Sequence, residues 1–304
     1  MTGQKQFILL ISLMFAFSCS SIPKGPVAIP TGFDWQGHRG CRGLMPENSI
    51  PAFVRALDFP AVTTLELDLA VSKDRQLIVS HEPWFNPAIC RQPGGDTIPG
   101  AQAEQKFLIY HMTAAEVRRF DCGSWGNARF PDQQKVSTFK PTLREVVEAV
   151  RAQHPDKAKT IRWNIEIKSQ PEWDGLRHPP VDEFAAMVIA ELRSLRIDKN
   201  ATVQSFDVRA LQAMHRQAPE IRLAYLIENI RGFESNMAKL DFTPAIYSPY
   251  YLLVSPKLVR KCRSKGVQLI PWTVNDVAAM RKLIHMGVDG IITDYPDKIS
   301  EVTK

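Results

Sequence analysis

The stretch Thr64-Leu65-Glu66-Leu67-Asp68-Leu69-Ala70-Val71 is a short, mostly apolar run interrupted by two acids. Residues two apart on a strand share a face, so Glu66 and Asp68 point the same way. Comparable runs recur at Trp35 to His38, Ile161 to Ile167, Thr202 to Ser205, Leu223 to Ile227, Ala245 to Ser248, Val267 to Thr273 and Gly290 to Ile292, making eight strand candidates in all. Amphipathic stretches lie between most of them: Ser49 to Leu57, Leu143 to Gln153, Val181 to Leu195, Val208 to Gln217, Pro256 to Lys265 and Asp276 to His285. Strands alternating with helices predict an α/β protein with a parallel sheet. A count of eight favours a closed (β/α)8 barrel of the TIM type over an open doubly wound sheet. The glycine fingerprint of dinucleotide folds and the Walker loop are both absent.

One section breaks the alternation. Residues 82–140 hold Pro83, Pro87, Pro93, Gly94, Gly95, Pro99, Gly100, Gly123, Gly126 and Pro131, with only Thr113 to Phe120 reading clearly as helix. A bare loop of that length is uncommon in a compact domain, so a small inserted subdomain after the second strand is expected. Following a strand, it sits over the carboxyl end of the barrel, where this fold builds its active sites.

Composition sets the outer bounds. Of 304 residues, 44% are apolar and 23% charged, a globular balance. Thirty-eight Lys and Arg against 32 acids give +6, which favours anionic partners but is spread too evenly for a nucleic-acid stripe. At the amino end, Lys5 precedes the apolar run Phe7 to Phe17 and then Ser18-Cys19, the order of a signal peptide over residues 1–18. That run is about half the ~20 residues a bilayer span needs. Cys19 after a small residue resembles the lipobox of bacterial lipoproteins, with Ala16 and Phe17 departing from the usual pattern. Export, with a lipid anchor at Cys19 as the sole membrane attachment, is the expectation; plain secretion is the alternative. Residues 19–33, carrying Pro23, Pro26 and Pro30, read as a tether to a catalytic domain over 34–304. Among the remaining cysteines, Cys90 and Cys122 share the Pro- and Gly-rich insertion and form the favoured pair, with Cys41 and Cys262 as buried thiols.

The polar residues that a buried strand should avoid collect at three strand ends. His38-Arg39-Gly40 closes the first, Glu66 and Asp68 lie on the second with His81 in the turn after it, and Glu166-Ile167-Lys168 closes the third. Three carboxylates then converge on the barrel mouth, and buried carboxylates need a divalent cation or basic partners to neutralise them. All-oxygen ligation suits Mg²⁺, Ca²⁺ or Mn²⁺ rather than zinc. Two histidines, an arginine and a lysine beside them can hold a phosphate and move protons across a P–O bond. Each piece alone is compatible with ordinary packing: a salt-bridged acid pair, a routine glycine turn, a strand-end charge. Their conjunction at three successive strand ends is not.

These residues resemble the glycerophosphodiester phosphodiesterase family, metal-dependent (β/α)8 barrels. The matching motifs are Gly37-His38-Arg39-Gly40 with Pro46-Glu47-Asn48-Ser49, Glu66-Leu67-Asp68, Val79-Ser80-His81, Asn164-Ile165-Glu166-Ile167-Lys168, Gln204-Ser205-Phe206-Asp207, Trp272-Thr273-Val274-Asn275 and Gly287 through Pro296. The resemblance implies Glu66, Asp68 and Glu166 as ligands of one divalent cation, Ca²⁺ or Mg²⁺. It implies His38 and His81 as the acid and base pair, Arg39 and Lys168 as phosphate contacts, and Trp272 at the glycerol end. Glu47 is expected to support Arg39 or the cation's surroundings, and Asn48 to cap the helix starting near Ser49. The implied reaction hydrolyses a glycerophosphodiester to glycerol 3-phosphate and an alcohol. In it the substrate's 2-hydroxyl attacks phosphorus, His38 acts as base and His81 as acid, and water opens the cyclic phosphate. One alternative is a phospholipase-like enzyme on intact lipids, which needs an apolar rim from Trp84, Phe85, Trp125, Phe130 and Phe139. Another is a non-catalytic surface-anchored binding protein, which the filled catalytic positions disfavour. Two departures stand out: Glu82 follows His81 where the family commonly has aspartate, and Cys41 replaces a small residue after His-Arg-Gly.

Overall fold

In the computed structural model, which describes residues 25–304, every residue of the strand Thr64–Val71 is buried. The leader 1–18 and Cys19 lie outside the described residues. Leu65, Leu67, Leu69 and Val71 join the core between sheet and helices, so alternation turns Thr64, Glu66 and Asp68 inward. The strands are β1 (Asp34–Gly37), β2 (Thr64–Val71), β3 (Leu77–Val79), β4 (Arg162–Ile167), β5 (Ala201–Ser205), β6 (Arg222–Ile227), β7 (Ile246–Pro249), β8 (Gln268–Leu269) and β9 (Gly290–Thr293). Their order is β8-β7-β6-β5-β4-β2-β1-β9, every neighbour parallel, with β3 antiparallel on β2. Hydrogen bonds from Ile292 N to Pro271 O (3.0 Å) and from Val274 N to Ile292 O (2.9 Å) bring the two edges together. The result is a nearly closed barrel of eight parallel strands with helices between them.

Two elements depart from the expectation. The run Val267 to Thr273 is regular only over Gln268–Leu269, because Pro271 has no N–H to give the ladder. The chain still follows β7, with Ile270 N donating to Tyr247 O (3.2 Å) and Trp272 N to Pro249 O (3.1 Å). β3, which is only three residues long, is too short for a period to show.

The barrel's interior is chemically divided. On the side of β6 to β9 it holds Ala224, Ile246, Ile270 and Ile292. On the side of β1 to β5 it holds Gln36, Asn164 and Gln204: Asn164 Nδ2 donates to Gln36 Oε1 (2.7 Å) and Gln204 Oε1 (2.9 Å). This polar layer lies beneath the acids, and fixes them because buried amides keep their geometry only when paired.

Helix caps follow the sequence closely. Ser49, Thr142, Asp207, Ser255 and Asp276 each accept a first-turn N–H through the side chain. The insertion holds helices Gly100–Lys106 and Ala114–Val117 and a core of its own around Phe85, Ile89, Ile109 and Phe120. The Phe85 and Phe120 rings stack at 3.8 Å, and Cys90 is joined to Cys122. Cys41 and Cys262 are buried free thiols.

Candidate active site

Register decides which acids meet. Asp68 of β2 stands opposite Glu166 of β4, and Glu166 opposite Gln204 of β5. One carboxylate oxygen from each of Glu66, Asp68 and Glu166 lies within 4.8 Å of the others, and all three residues are buried. Glu66 is held from two sides, accepting from Gln204 Nε2 (2.8 Å) and from the backbone N–H of Arg39 (2.8 Å). The second bond needs Arg39 in the left-handed region, at φ 50°, where Gly40 at φ 84° continues the turn. Lys168 Nζ lies 2.9 Å from Glu166 and 3.4 Å from Asp68, and Arg39 Nε lies 3.3 Å from Asp68.

The charge balance favours an added cation. Burial and the neighbouring Asp68 push Glu66 well above the usual carboxylate range, and burial with Asp68 lifts Glu166 to about 7. Burial would raise Asp68 too, but Lys168 and Arg39 hold it well below. Three carboxylates converging on one ammonium and on a guanidinium shared with Glu47 fit a hard divalent ion with oxygen ligands.

Each histidine at the barrel mouth is backed by its own acid. His38 Nδ1 pairs with Asp294 Oδ1 at 2.6 Å, while Nε2 turns toward Glu66 at 3.9 Å. Asp294 is clamped in turn by Arg42 Nε (2.8 Å), Arg42 NH2 (3.1 Å) and Asn275 Nδ2 (2.7 Å). Burial and Arg42 lower His38 to about 4, so its imidazole is held neutral. His81 Nδ1 pairs with Glu82 Oε1 at 3.1 Å, and burial with Arg39 lowers it as well. Glu82 is thus the acid that His81 pairs with, and Asn86 Nδ2 steadies it at 3.3 Å. His81 is the more open of the two, its side chain 32% exposed against 11% for His38.

Glu47 supports Arg39, at 2.7 Å from NH1. Asn48 does not cap the helix; Ser49 does, accepting from Ala52 N. Asn48, at φ 54°, instead donates from Nδ2 to Asp68 Oδ2 at 2.8 Å. The expectation failed because Asn and Ser are both good caps, and local sequence does not show that a carboxylate of the next strand competes for the amide. Sequence reading also missed roles for Asp294, Arg42, Gln204 and Lys140. Asp294 and Gln204 sat within recognised motifs, and their place at strand ends was the available signal. Lys140, buried and donating to Ser80 Oγ at 2.8 Å, comes from the far end of the insertion and carried none.

His38, Arg39, Glu66, His81, Glu166, Lys168 and Trp272 all border one cavity of about 800 Å³ at the carboxyl end of the strands. The insertion contributes Arg129 and Phe130 to its wall. Trp272 is locked by its Nε1, which donates to Ser248 O at 2.8 Å.

Proton donors and acceptors arranged about a cation-binding cluster equip a barrel of this kind to cleave phosphate esters, and the class it defines is that of the phosphodiesterases. Residues 38–298 match the glycerophosphoryl diester phosphodiesterase family model, and the chain belongs to that family of enzymes. A glycerophosphodiester phosphodiesterase of Bacillus subtilis (strain 168) is 28% identical, over 98% of this chain and 96% of its own. Another, from Caldanaerobacter subterraneus, is 29% identical over 88% and 96%. A solved chain from Silicibacter pomeroyi, provisionally described as a glycerophosphoryl diester phosphodiesterase, superposes with a TM-score of 0.79 at 28% identity, covering 92% of this chain and 94% of that one. An Oleispira antarctica phosphodiesterase solved with the product sn-glycerol-3-phosphate gives 0.69 at 23% identity over 90% and 96%, a likeness of fold.

Proposed function

We propose that the protein hydrolyses glycerophosphodiesters to glycerol 3-phosphate and an alcohol, with a divalent cation bound by Glu66, Asp68 and Glu166. The observation that carries this reading is the pair of histidines, each oriented by its own carboxylate, opening on the cavity that the three acids share. Bound there, the cation supplies positive charge where the phosphate gains negative charge in the transition state. Arg39 and Lys168 hold the non-bridging oxygens. His38, neutral and pinned through Nδ1, takes the proton of the substrate's 2-hydroxyl at Nε2 as that oxygen bonds to phosphorus. His81, open enough to be recharged from solvent, gives its proton to the departing alcohol as the P–O bond breaks. Water then opens the cyclic phosphate, losing a proton to His81 while His38 returns one to the 2-oxygen. An internal nucleophile contributes up to the ~7–11 kcal/mol available from proximity. The assay is release of glycerol 3-phosphate from a panel of diesters, with the enzyme first chelated and then restored with Ca²⁺ or Mg²⁺. Loss and recovery of release support the reading; equal release throughout contradicts the cation.

The rim needed for intact lipids is largely missing. Phe85 and Phe130 are buried, Trp84 lies under Arg177, and Trp125, though 60% exposed, carries Arg91 at 3.9 Å from its ring. Soluble, deacylated diesters are therefore the better substrates. Export with lipid attachment at Cys19 is the companion proposal. The Cys90–Cys122 bond supports it, since such bonds persist in oxidising compartments. Recovery in the membrane fraction, abolished by Cys19→Ser, is the expected result; an unmodified Cys19 in the intact mass contradicts it.

Asp294 acts through His38 and is a positioning residue. Asp294→Asn is expected to lower kcat by ~10²–10⁴ with little change in KM, because the amide can present an N–H to Nδ1 and favour the wrong tautomer. An unchanged kcat with a normal imidazole NMR tautomer pattern would show that Asp294 does not orient His38.

A further inference from the structure

From the hydrogen bonds behind His81 we infer that Lys140, a buried lysine at the end of the insertion, is a positioning residue that keeps His81 oriented for proton transfer to the leaving alcohol. The inference rests on the diesterase reading above and adds a residue that acts through His81. Chain pairing brings Lys140 to the site. Ile78 and Thr142 face each other in an antiparallel bridge and Val79 N donates to Pro141 O at 2.7 Å, so the same register carries Lys140 opposite Ser80. Lys140 Nζ donates to Ser80 Oγ at 2.8 Å, and Ser80 Oγ donates to the carbonyl oxygen of Glu82 at 2.6 Å. The hydroxyl accepts once and donates once, in a chain that spans His81 and fixes its turn. Ser80 N, bonded to Asp68 O at 2.9 Å, ties the start of that turn to β2.

Lys140 also acts on the Glu82 side chain. Oε1 of Glu82 takes His81 Nδ1 and Asn86 Nδ2, while Oε2 is buried and has no hydrogen-bond partner among the described residues. A buried carboxylate answered on one oxygen only stays ionised beside positive charge. Burial would raise Glu82, but its bond to His81 and the charges around it, Lys140 and Arg39 among them, hold it below the usual carboxylate range. Stability alone gives no reason for an ammonium at this place. Lys140 forms no ion pair among the described residues, and the one hydrogen bond of its ammonium goes to a neutral hydroxyl. Burial lowers its pKa against the pull of Glu82 and Glu47. An apolar side chain of the same length would pack beside Phe85, whose ring centroid lies 5.9 Å from Nζ, at less cost. Without Lys140, Glu82 takes up a proton or turns away, and His81 loses the acceptor that orders its ring.

The test uses Lys140→Met, which keeps the apolar stem and removes the charge, in the cation-loaded enzyme with two diesters. Glycerophosphocholine must protonate its alcohol as it leaves; the p-nitrophenyl diester of glycerol 3-phosphate expels a stable anion and needs no acid. Single-turnover release of each alcohol isolates the first step. The variant is expected to release choline up to ~10² more slowly, the cost of a small misplacement of the acid, and nitrophenolate at the wild-type rate, with binding of both little changed. The imidazole nitrogen NMR signals of His81 should lose their single-tautomer pattern while those of His38 stay as in wild type. Ser80→Ala leaves the ammonium in place and cuts the chain; it is expected to show the same split, and it carries the comparison if Lys140→Met does not fold. Equal slowing of the two diesters, unchanged rates on both, or an unaltered His81 spectrum overturns the inference and leaves Lys140 a packing residue. Failure of the diesterase reading itself shows separately, as no release of glycerol 3-phosphate from either diester by the wild type.

Discussion

Glu66→Gln is expected to leave a folded barrel that no longer turns over substrate at low divalent cation concentration. The three acids lie within 4.8 Å of one another and are buried, so their mutual repulsion is poorly screened. Burial and Asp68 already drive metal-free Glu66 toward its neutral form, which glutamine resembles, and this offsets the hydrogen bond that glutamine cannot accept from both Gln204 and Arg39. The metal-free variant should therefore melt close to the metal-free wild type. The difference emerges on adding cation. A ligand at a hundredfold over its Kd stabilises the native state by about 2.7 kcal/mol, which for a domain of this size is a rise in Tm of about 5 °C. Wild type is expected to show that rise with Ca²⁺ or Mg²⁺ and the variant to lack it, with activity lost in parallel. An identical rise in both, measured by scanning calorimetry, would move the cation away from Glu66.

Removal of either histidine is the second large effect. His38→Ala and His81→Ala should each lower kcat by at least the ~10²–10⁴ of a general acid or base, with KM near wild type because Arg39 and Lys168 still hold the phosphate. A diester lacking the 2-hydroxyl should behave as the His38 variant does with the natural substrate: it binds, but has no nucleophile to deprotonate. Transition-state losses of this sort fall on kcat. A deoxy diester cleaved at the natural rate would show direct attack by water and end the cyclic intermediate, leaving both histidines their acid and base roles.

What could be read in the sequence divides along physical lines. Seven of the eight strand candidates match observed strands to within a residue or so at either end, because parallel strands buried on both faces are conspicuous apolar runs. Val267 to Thr273 shrank to a dipeptide because Pro271 interrupts its ladder. Glu66, Asp68 and Glu166 were legible because a carboxylate on a buried strand is too costly to be kept for packing alone, and the resemblance named them. Asp294 and Arg42 were not assigned roles: the 2.6 Å pair of Asp294 with His38 joins residues 256 apart and depends on the first strand, β1, lying beside the last, β9. Asn48 was misread because its true partner, Asp68, is local in space and distant in sequence. The insertion was legible as a subdomain from its prolines and glycines, but its helix Gly100–Lys106 has a capless start at Pro99 and little apolar period to announce it.

Phosphorus NMR of a glycerophosphodiester during turnover follows the bond that breaks and the product that forms. The wild-type enzyme with Ca²⁺ or Mg²⁺ is expected to convert the diester signal to that of glycerol 3-phosphate, with the free alcohol released and a cyclic glycerol phosphate passing between them. Chelation should halt the conversion and added cation restart it. Formation of the alcohol's phosphate with free glycerol, or undiminished conversion in excess chelator, would contradict His38 and His81 as base and acid and the Glu66, Asp68 and Glu166 cluster as the cation site.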